Sequence, residues 1–441
     1  MNNTRYIVYK ALIRMEEDNA YSNIILDEVL SNSDADNRDK AFISAIFYGV
    51  LERKITLDYI IRSFSSVRLK KIEREILIIL RIAVYQLVFM DKVPDSAAVN
   101  EAVKTCKKEK LYRSASFVNA LLRSLTKADN RFPLPDKRDT LKYLSVKYSC
   151  PENIVSLWIN DYSLEITENI LSSLFGRPPI FIRTNTVKTN AQELIDVLKQ
   201  DNVNVSSTFL DNALEISGTG SITSLDAYKK GLFHVQDLSS QICCELACVK
   251  NGDIVSDVCA APGGKTLNLA QRTIDGTVYS YDIYDHKIKL ITSSAQRLGL
   301  HNITASIRNA AAPQTELNLS DVVLCDVPCS GLGVIRRKPE IRYKEELGVD
   351  ALPELQLEIL ETSSEYVKRG GVLIYSTCTL NKKENNINAS LFLERSSDFE
   401  PLPLVLPSGV ERTIDEAENC ITMFPSQNGS DGFFTAAFRR K

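Results

Sequence analysis

The sequence predicts a multidomain chain: an all-α N-terminal domain, a small α+β subdomain, and an α/β core built on a parallel sheet. Three observations predict it. Residues 4–127 place apolar side chains at three-to-four spacing almost without interruption. Pro133 and Pro135 in RFPLPDK then break that pattern. Beyond Val235, short apolar runs alternate with amphipathic stretches, the order that gives a parallel sheet covered by helices on both faces.

At 441 residues, the chain exceeds the roughly 250–300 residues at which one hydrophobic core stops growing, so several domains are required. We place the helical domain at 1–130, a linker at 131–150, the α+β subdomain at 151–234 and the core at 235–441. In the first, YIVYKALIRM, KAFISAIFYGVL, KIEREILIILRIAVYQLVFM and SASFVNALLRSL read as helices. In the second, a helical stretch after Pro151 leads to the extended run IFIRTNTV, the helix AQELIDVLKQ and short strands near Leu214 and Leu232. In the third, DIVSDV, TVYSYD, NITASI, DVVLCD and GVLIYS read as strands, separated by the helices TLNLAQR, KIKLITSSAQRLG and LPELQLEILETSSEYVK.

A composition of 25% charged and 44% hydrophobic residues is ordinary for a globular protein. No run approaches the ~18 uncharged apolar residues of a membrane helix, and MNNTRYIVYK lacks the apolar centre of a signal peptide. A cytoplasmic protein without membrane attachment is the expectation. Ten cysteines form no secreted disulfide framework, so reduced thiols are expected. Cys243, Cys244 and Cys248 have no nearby histidine or second CxxC, so no metal is expected. The net charge of -3 hides an asymmetry. Residues 1–150 carry 26 Lys+Arg against 19 Asp+Glu, whereas the remainder is acidic, so the first third is the part suited to phosphate. RLKKIERE and KTCKKEK are its basic clusters.

The chemistry-bearing residues fall at the ends of the core strands, where open α/β sheets bind ligands. The first strand runs into Asp257-Val258-Cys259-Ala260-Ala261-Pro262-Gly263-Gly264-Lys265-Thr266. Small residues and paired glycines allow a tight turn and close backbone approach to a ligand. GxxxxGK[ST] and GxGxxG are both absent, which points to a nucleotide-like ligand without a bound pyrophosphate. Asp282 ends the next strand, about twenty residues on, at the spacing of an acid that accepts ribose hydroxyls. Two further strands end near thiols, Asp326-Val327-Pro328-Cys329 and Cys378 in YSTCT. Either thiol is a candidate nucleophile. Arg336, Arg337, Lys338 and Arg342 follow the first, and Lys382-Lys383 the second, as solvated surface or as phosphate contacts.

DVCAAPGGKT, DVPCSGLGVIRRKPEIRY, YSTCT and the terminal DGFF together resemble the NOL1/NOP2/Sun family of S-adenosylmethionine-dependent RNA cytosine-C5 methyltransferases, from about Val235 to the C-terminus. The helical N-terminus, with VPDSAAVNEAVK and FVNALLR, is similar to the RNA-binding antitermination factor NusB. The two together are the arrangement of bacterial 16S ribosomal RNA methyltransferases. The resemblance implies a Rossmann-like core, S-adenosyl-L-methionine as cofactor and 16S ribosomal RNA as partner, alone or within a partly assembled small subunit; a monomer is the expectation. It implies that Cys259, Ala260, Ala261, Pro262, Gly263, Gly264 and Lys265 wrap the methionine and ribose, with Asp282 on the ribose hydroxyls. Near the adenine, where the family usually has an acid, this sequence has Asn309, whose amide can still bond the adenine edge.

The resemblance also assigns roles to the thiols. Cys378 is implied to be the nucleophile that adds to cytosine C6, Cys329 to assist release of the product, and Asp326 to hold the cytosine edge and border the cofactor pocket. Arg336, Arg337, Lys338 and Arg342 are expected at the RNA entrance. Cys325, Cys243 and Cys420 are read as packing. A DNA cytosine methyltransferase would attack with the Pro-Cys thiol, and an amino-group methyltransferase would show Pro-Pro-aromatic near 326–329. From another class, an RNA-binding assembly or antitermination factor with an inactive core would be consistent with Asn309.

Overall fold

The computed structural model describes residues 4–18, 21–313, 319–344, 351–425 and 429–441. The chain divides into two compact units, one of residues 1–175 with 335–345, the other of residues 176–334 with 346–441.

The first unit is helical. Its centre is the helix Arg74–Phe89, buried on every side because REILIILRIAVYQLVF is apolar all round rather than along one stripe. Around it pack Thr4–Asp18, Asn37–Glu52, Lys54–Phe64, Asp95–Lys108 and Tyr112–Lys127, contributing Val8, Leu12, Ile46, Phe47, Ile60, Val99, Val118 and Leu122 to one core. The buried Arg81 on the central helix is held by a two-point pair with Asp58, at 2.7 and 2.8 Å.

Two expectations are corrected in this unit. The segment 131–150, expected as a linker, is extended only at its proline-containing start, and TLKYLSVKY then forms the helix Thr140–Tyr148. That helix buries Leu144 and Val146, and Thr56 Oγ1 donates to the Val146 carbonyl at 2.6 Å. Second, Ile335–Glu345, expected in the core domain, packs with the helices. Its short 3-10 turn Pro339–Tyr343 lies against Asn37–Glu52, and the buried Glu340 accepts from Ser22 N and Ser22 Oγ at 3.2 and 2.8 Å. Helices Glu152–Asp161, with fully buried Trp158, and Leu164–Ser172 also belong to this unit.

The second unit contains two sheets. The smaller comprises β1 (Ile180–Thr184), β2 (Asn204–Ser207), β3 (Ala213–Ser217) and β4 (Phe233–Val235), in the antiparallel order β2-β3-β1-β4. The helix Ala191–Gln200 covers it by placing Leu194 and Leu198 on Ile182, Leu214, Ile216 and Phe233. Strand β2 is polar and half in water, so no apolar alternation announces it.

The larger sheet comprises β5 (Ile254–Asp257), β6 (Thr277–Asp282), β7 (Ile303–Ile307), β8 (Ser320–Asp326), β9 (Val367–Thr377), β10 (Phe399–Pro401), β11 (Cys420–Met423) and β12 (Phe433–Arg440). Its order is β10-β12-β9-β8-β5-β6-β7, with β11 also on β12. Strands β5 to β9 run parallel, as expected, whereas β12 runs antiparallel to β9, and β10 and β11 each pair antiparallel with β12, so the sheet is mixed. FFTAAFRR is almost continuously apolar, and such a run carries no information on strand direction. Successive residues of β8 alternate between two layers: Val322 and Leu324 pack on one side, Val323 and Cys325 on the other. Cys325, Cys243 and Cys420 are all buried. Chain order reverses between β5 and β8, so the crevice beyond their carboxyl ends is where a ligand binds in this architecture. No described helix is long and apolar enough to cross a membrane.

Candidate active site

The turn after β5 is held by its neighbours. Val258 N donates to the Leu324 carbonyl of β8 at 3.0 Å and Ala260 N to the Tyr281 carbonyl of β6 at 2.8 Å. The Ala261–Pro262 peptide is cis. Gly263 has φ +105°, where an L side chain is strained, and a Cβ there would press on Ile291. That glycine starts the helix Gly264–Ala270.

Asp257 is fully buried at the floor of the turn. Thr266 Oγ1 donates to its Oδ2 at 2.6 Å. Burial, aided by the nearby charge of Asp326, pushes its carboxyl up to about 7 despite the Thr266 bond. Asp282 meets the same turn from β6: its Oδ2 accepts from Ala261 N at 3.3 Å, and its Oδ1 accepts from Tyr284 N at 3.2 Å and faces Lys287 at 3.4 Å. Next to it, Ile283, Tyr284 and Ile307 expose large apolar surfaces. An exposed apolar ledge beside an acid at a strand end suits a flat heterocycle joined to a ribose. Sequence reasoning missed the ledge, although Ile283-Tyr284 directly follows Asp282.

Lys265, expected among the cradle residues, directs its ammonium to Asp326 Oδ2 at 2.6 Å, over the ring of Phe433 at 4.9 Å. Burial works against the ammonium charge, but the Asp326 carboxylate outweighs it and holds the Lys265 pKa above the usual lysine range. Asp326 Oδ1 accepts from Ser376 Oγ of β9 at 2.9 Å, so both carboxylate oxygens are fixed.

The two thiols converge. Strands β8 and β9 are parallel neighbours with Asp326 opposite Ser376, which puts the turns that follow them side by side. Cys329 Sγ lies 3.2 Å from Cys378 Sγ. The hydrogen bond to Cys378 and burial together hold the Cys329 thiol well above the ordinary cysteine range. Behind Cys378, Gly333 N donates to its carbonyl at 3.0 Å and Gly432 N to the Gly333 carbonyl at 2.9 Å.

The structure thus brings together the Cys259–Lys265 turn, Asp282, Asp326, Cys329 and Cys378. Asn309 lies on an exposed turn after β7, where its Oδ1 already accepts from Ala311 N at 3.1 Å. Arg336, Arg337, Lys338 and Arg342 belong to the helical unit. Arg342, expected to meet RNA, is corrected: it is 1% exposed, and its Nη1 donates to the carbonyls of Glu52 and Ser149 at 3.3 and 3.1 Å. Sequence reasoning also missed Ser376 and the buried Glu384, whose setting in LNKKENN reads as a solvated loop.

Three stretches match known families. Residues 2–127 match the NusB family, 150–223 the RsmF/B-like methyltransferase ferredoxin-like domain, and 245–439 the 16S rRNA methyltransferase RsmB/F family. The chain is 34% identical to the probable ribosomal RNA small subunit methyltransferase B of Bacillus subtilis, over 99% of this chain and 98% of the relative. It is 30% identical to its counterpart in Synechocystis, over the whole of both. Among solved structures, PH0851 superposes with a TM-score of 0.82 and 26% identity, covering 100% of this chain and 99% of that one.

Proposed function

The chain belongs to the family of ribosomal RNA small subunit methyltransferases B, and on that premise we propose that it methylates C5 of a cytosine in 16S ribosomal RNA, using S-adenosyl-L-methionine. The observation that carries the reading is the pair of sulfurs 3.2 Å apart beside a doubly anchored carboxylate.

Cytosine C5 is too weak a nucleophile to take a methyl group unaided. A thiolate bonded to C6 makes C5 enamine-like, C5 bonds the methyl carbon as the methyl–sulfonium bond breaks, and a base that takes the C5 proton lets the C6–S bond break and release the thiolate. Cys378 is assigned the attack. With its pKa held up, the Cys329 thiol is assigned the donor of the sulfur–sulfur contact, its S–H favouring the thiolate at Cys378. Cys329 is assigned to assist breakage of the adduct. Asp326, fixed by Lys265 and Ser376, is assigned the cytosine N3 and amino edge and a wall of the cofactor pocket.

S-adenosylmethionine supplies the methyl group as a sulfonium. Residues Cys259–Lys265 fit its methionine and ribose, Asp282 its hydroxyls, and the ledge of Ile283, Tyr284 and Ile307 its adenine. Asn309 is assigned an adenine contact through its amide. The target base has to leave its stack to reach two thiols beyond the ends of adjacent strands, which favours an unpaired rRNA segment. For RNA phosphates, Arg336, Arg337 and exposed Lys338 remain assigned, without Arg342. The experiment is a bisulfite map of 16S rRNA from cells with and without the gene. One cytosine losing its protection in the deletion supports the reading; an unchanged map, with RNA binding intact, would favour a binding factor with an inactive core.

A further inference from the structure

Glu384 is 0% exposed, yet it is a carboxylate, and the reading above gives it no part. Its Oε2 accepts from Ser330 N and Gln356 Nε2, both at 2.9 Å. Its Oε1 accepts from Ser330 Oγ at 2.5 Å and from Asn381 Nδ2 at 2.9 Å. All four donors are neutral. Ser330 follows Cys329, and Asn381 lies three residues after Cys378, so one carboxylate ties together the two turns that carry the sulfurs. Gln356 extends the tie, because the same Nε2 also donates to the Pro328 carbonyl at 2.9 Å. A second link runs directly between the turns, from Ser330 Oγ to Thr379 Oγ1 at 2.7 Å.

A buried charge is costly unless its lone pairs are satisfied, and here every bond made to it comes from a residue that places a thiol or braces its turn. We propose that Glu384 is a positioning residue for methyl transfer, one that sets the sulfur–sulfur contact by clamping the Cys329 turn against the Cys378 turn. The inference rests on the roles assigned to the two thiols above. It explains why an acid occupies the position: a site made only of donors suits an acceptor-only group, and glutamine would turn an NH2 against at least one donor pair. It also has an electrostatic side. The Glu384 charge sits near Cys329 and opposes ionisation there, adding to the effects of the Cys378 bond and burial.

The test uses the full-length chain with a 16S rRNA transcript carrying 5-fluorocytidine, whose C5 fluorine cannot leave as a proton does, so the C6 adduct accumulates. Wild-type protein is expected to form a denaturant-resistant complex. Glu384→Gln should form it about tenfold more slowly or worse, with the KM for S-adenosylmethionine unchanged. Iodoacetamide labelling read by mass spectrometry supplies a measure that mere loosening would not move. The wild type should label Cys378 ahead of Cys329, and Glu384→Gln should narrow that preference by raising the rate at Cys329 alone. Ser330→Ala removes one of the four bonds to Glu384, together with the Ser330–Thr379 link, while keeping the main-chain donor, and should shift the labelling ratio in the same direction by less. If Glu384→Gln does not fold, an unchanged ratio in Ser330→Ala overturns the inference. Wild-type adduct with wild-type rate and ratio in folded Glu384→Gln also overturns it. No adduct with the wild type would instead remove the thiol assignments on which it stands.

Discussion

The Lys265 ammonium lies 2.6 Å from Asp326 Oδ2, joining the turn after β5 to the end of β8. The lysine is nearly out of water and the aspartate largely so. Lys265→Met would leave the carboxylate held only by Ser376 and short of a counter-charge. The expected cost is about 1–3 kcal/mol in urea unfolding, below the full penalty of a completely buried pair. Methyl transfer should fall by about tenfold or more, because the acid assigned to hold the base is then anchored on one side only. Wild-type kcat in this variant would show that the pair has no part in the reaction.

Gly333 is irreplaceable on steric grounds. A Cβ there would sit 2.0 Å from the Gly432 carbonyl oxygen and 2.8 Å from that of Cys378, and backbone cannot move aside cheaply. Gly333→Ala is expected to destabilise the protein by about 1–3 kcal/mol and to displace the Cys378 turn. Activity should fall further than stability alone explains, which single-turnover rates at a temperature where the variant remains folded will show.

Arg342 is expected to matter for folding and not for RNA. Arg342→Ala removes the guanidinium donor from the Glu52 and Ser149 carbonyls, the second keeping only Tyr343 Oη at 3.3 Å, at a cost of about 1–3 kcal/mol. The salt dependence of RNA binding, which counts phosphate contacts, should be unchanged in Arg342→Ala and shallower in Lys338→Ala. Equal loss of slope in both would return Arg342 to the RNA surface.

Two buried groups oppose each other in pH dependence. His234 is 3% exposed, and burial, with the charge of Arg183 adding to it, brings its pKa down to about 4. It stays neutral in the fold while the unfolded chain takes up a proton near pH 6.5. Its contribution is therefore complete above that pH and is lost as pH falls toward about 4. Asp257 runs the other way: raised to about 7, it contributes below the ordinary aspartate value, and that contribution is lost as pH rises through about 7. Urea unfolding of His234→Gln should show the wild-type advantage shrinking toward low pH by up to about 1.4 kcal/mol per unit between pH 6.5 and 4. Parallel stability–pH curves would mean that His234 does not titrate differently in the two states.

Much of this architecture was legible because its signals are local. The central helix of the first unit declares itself by an apolar run too long for a strand, and β5 to β9 by alternation with amphipathic helices. Cys329 and Cys378 stood out as thiols after strand ends, and they meet because those strands are parallel neighbours that end at the same edge of the sheet. What stayed hidden is set by distant partners. The polar run around Glu384 looks like a surface loop until Ser330 and Gln356 arrive to bury its charge. RRKPEIRY looks like a basic rim, yet Glu340 bonds Ser22, and Arg342 is buried with its Nη1 on the Glu52 and Ser149 carbonyls, all within the helical unit. No periodicity encodes either destination.

The central claim is the division of labour between two sulfurs 3.2 Å apart, and the measurement that tests it most directly is a denaturing gel of each cysteine variant incubated with 16S rRNA and S-adenosylmethionine. Cys329→Ala should accumulate a covalent protein–RNA complex. Cys378→Ala should form none and transfer no methyl group while still binding the cofactor. A complex that accumulates with Cys378→Ala, and not with Cys329→Ala, would contradict the account by reversing the two roles.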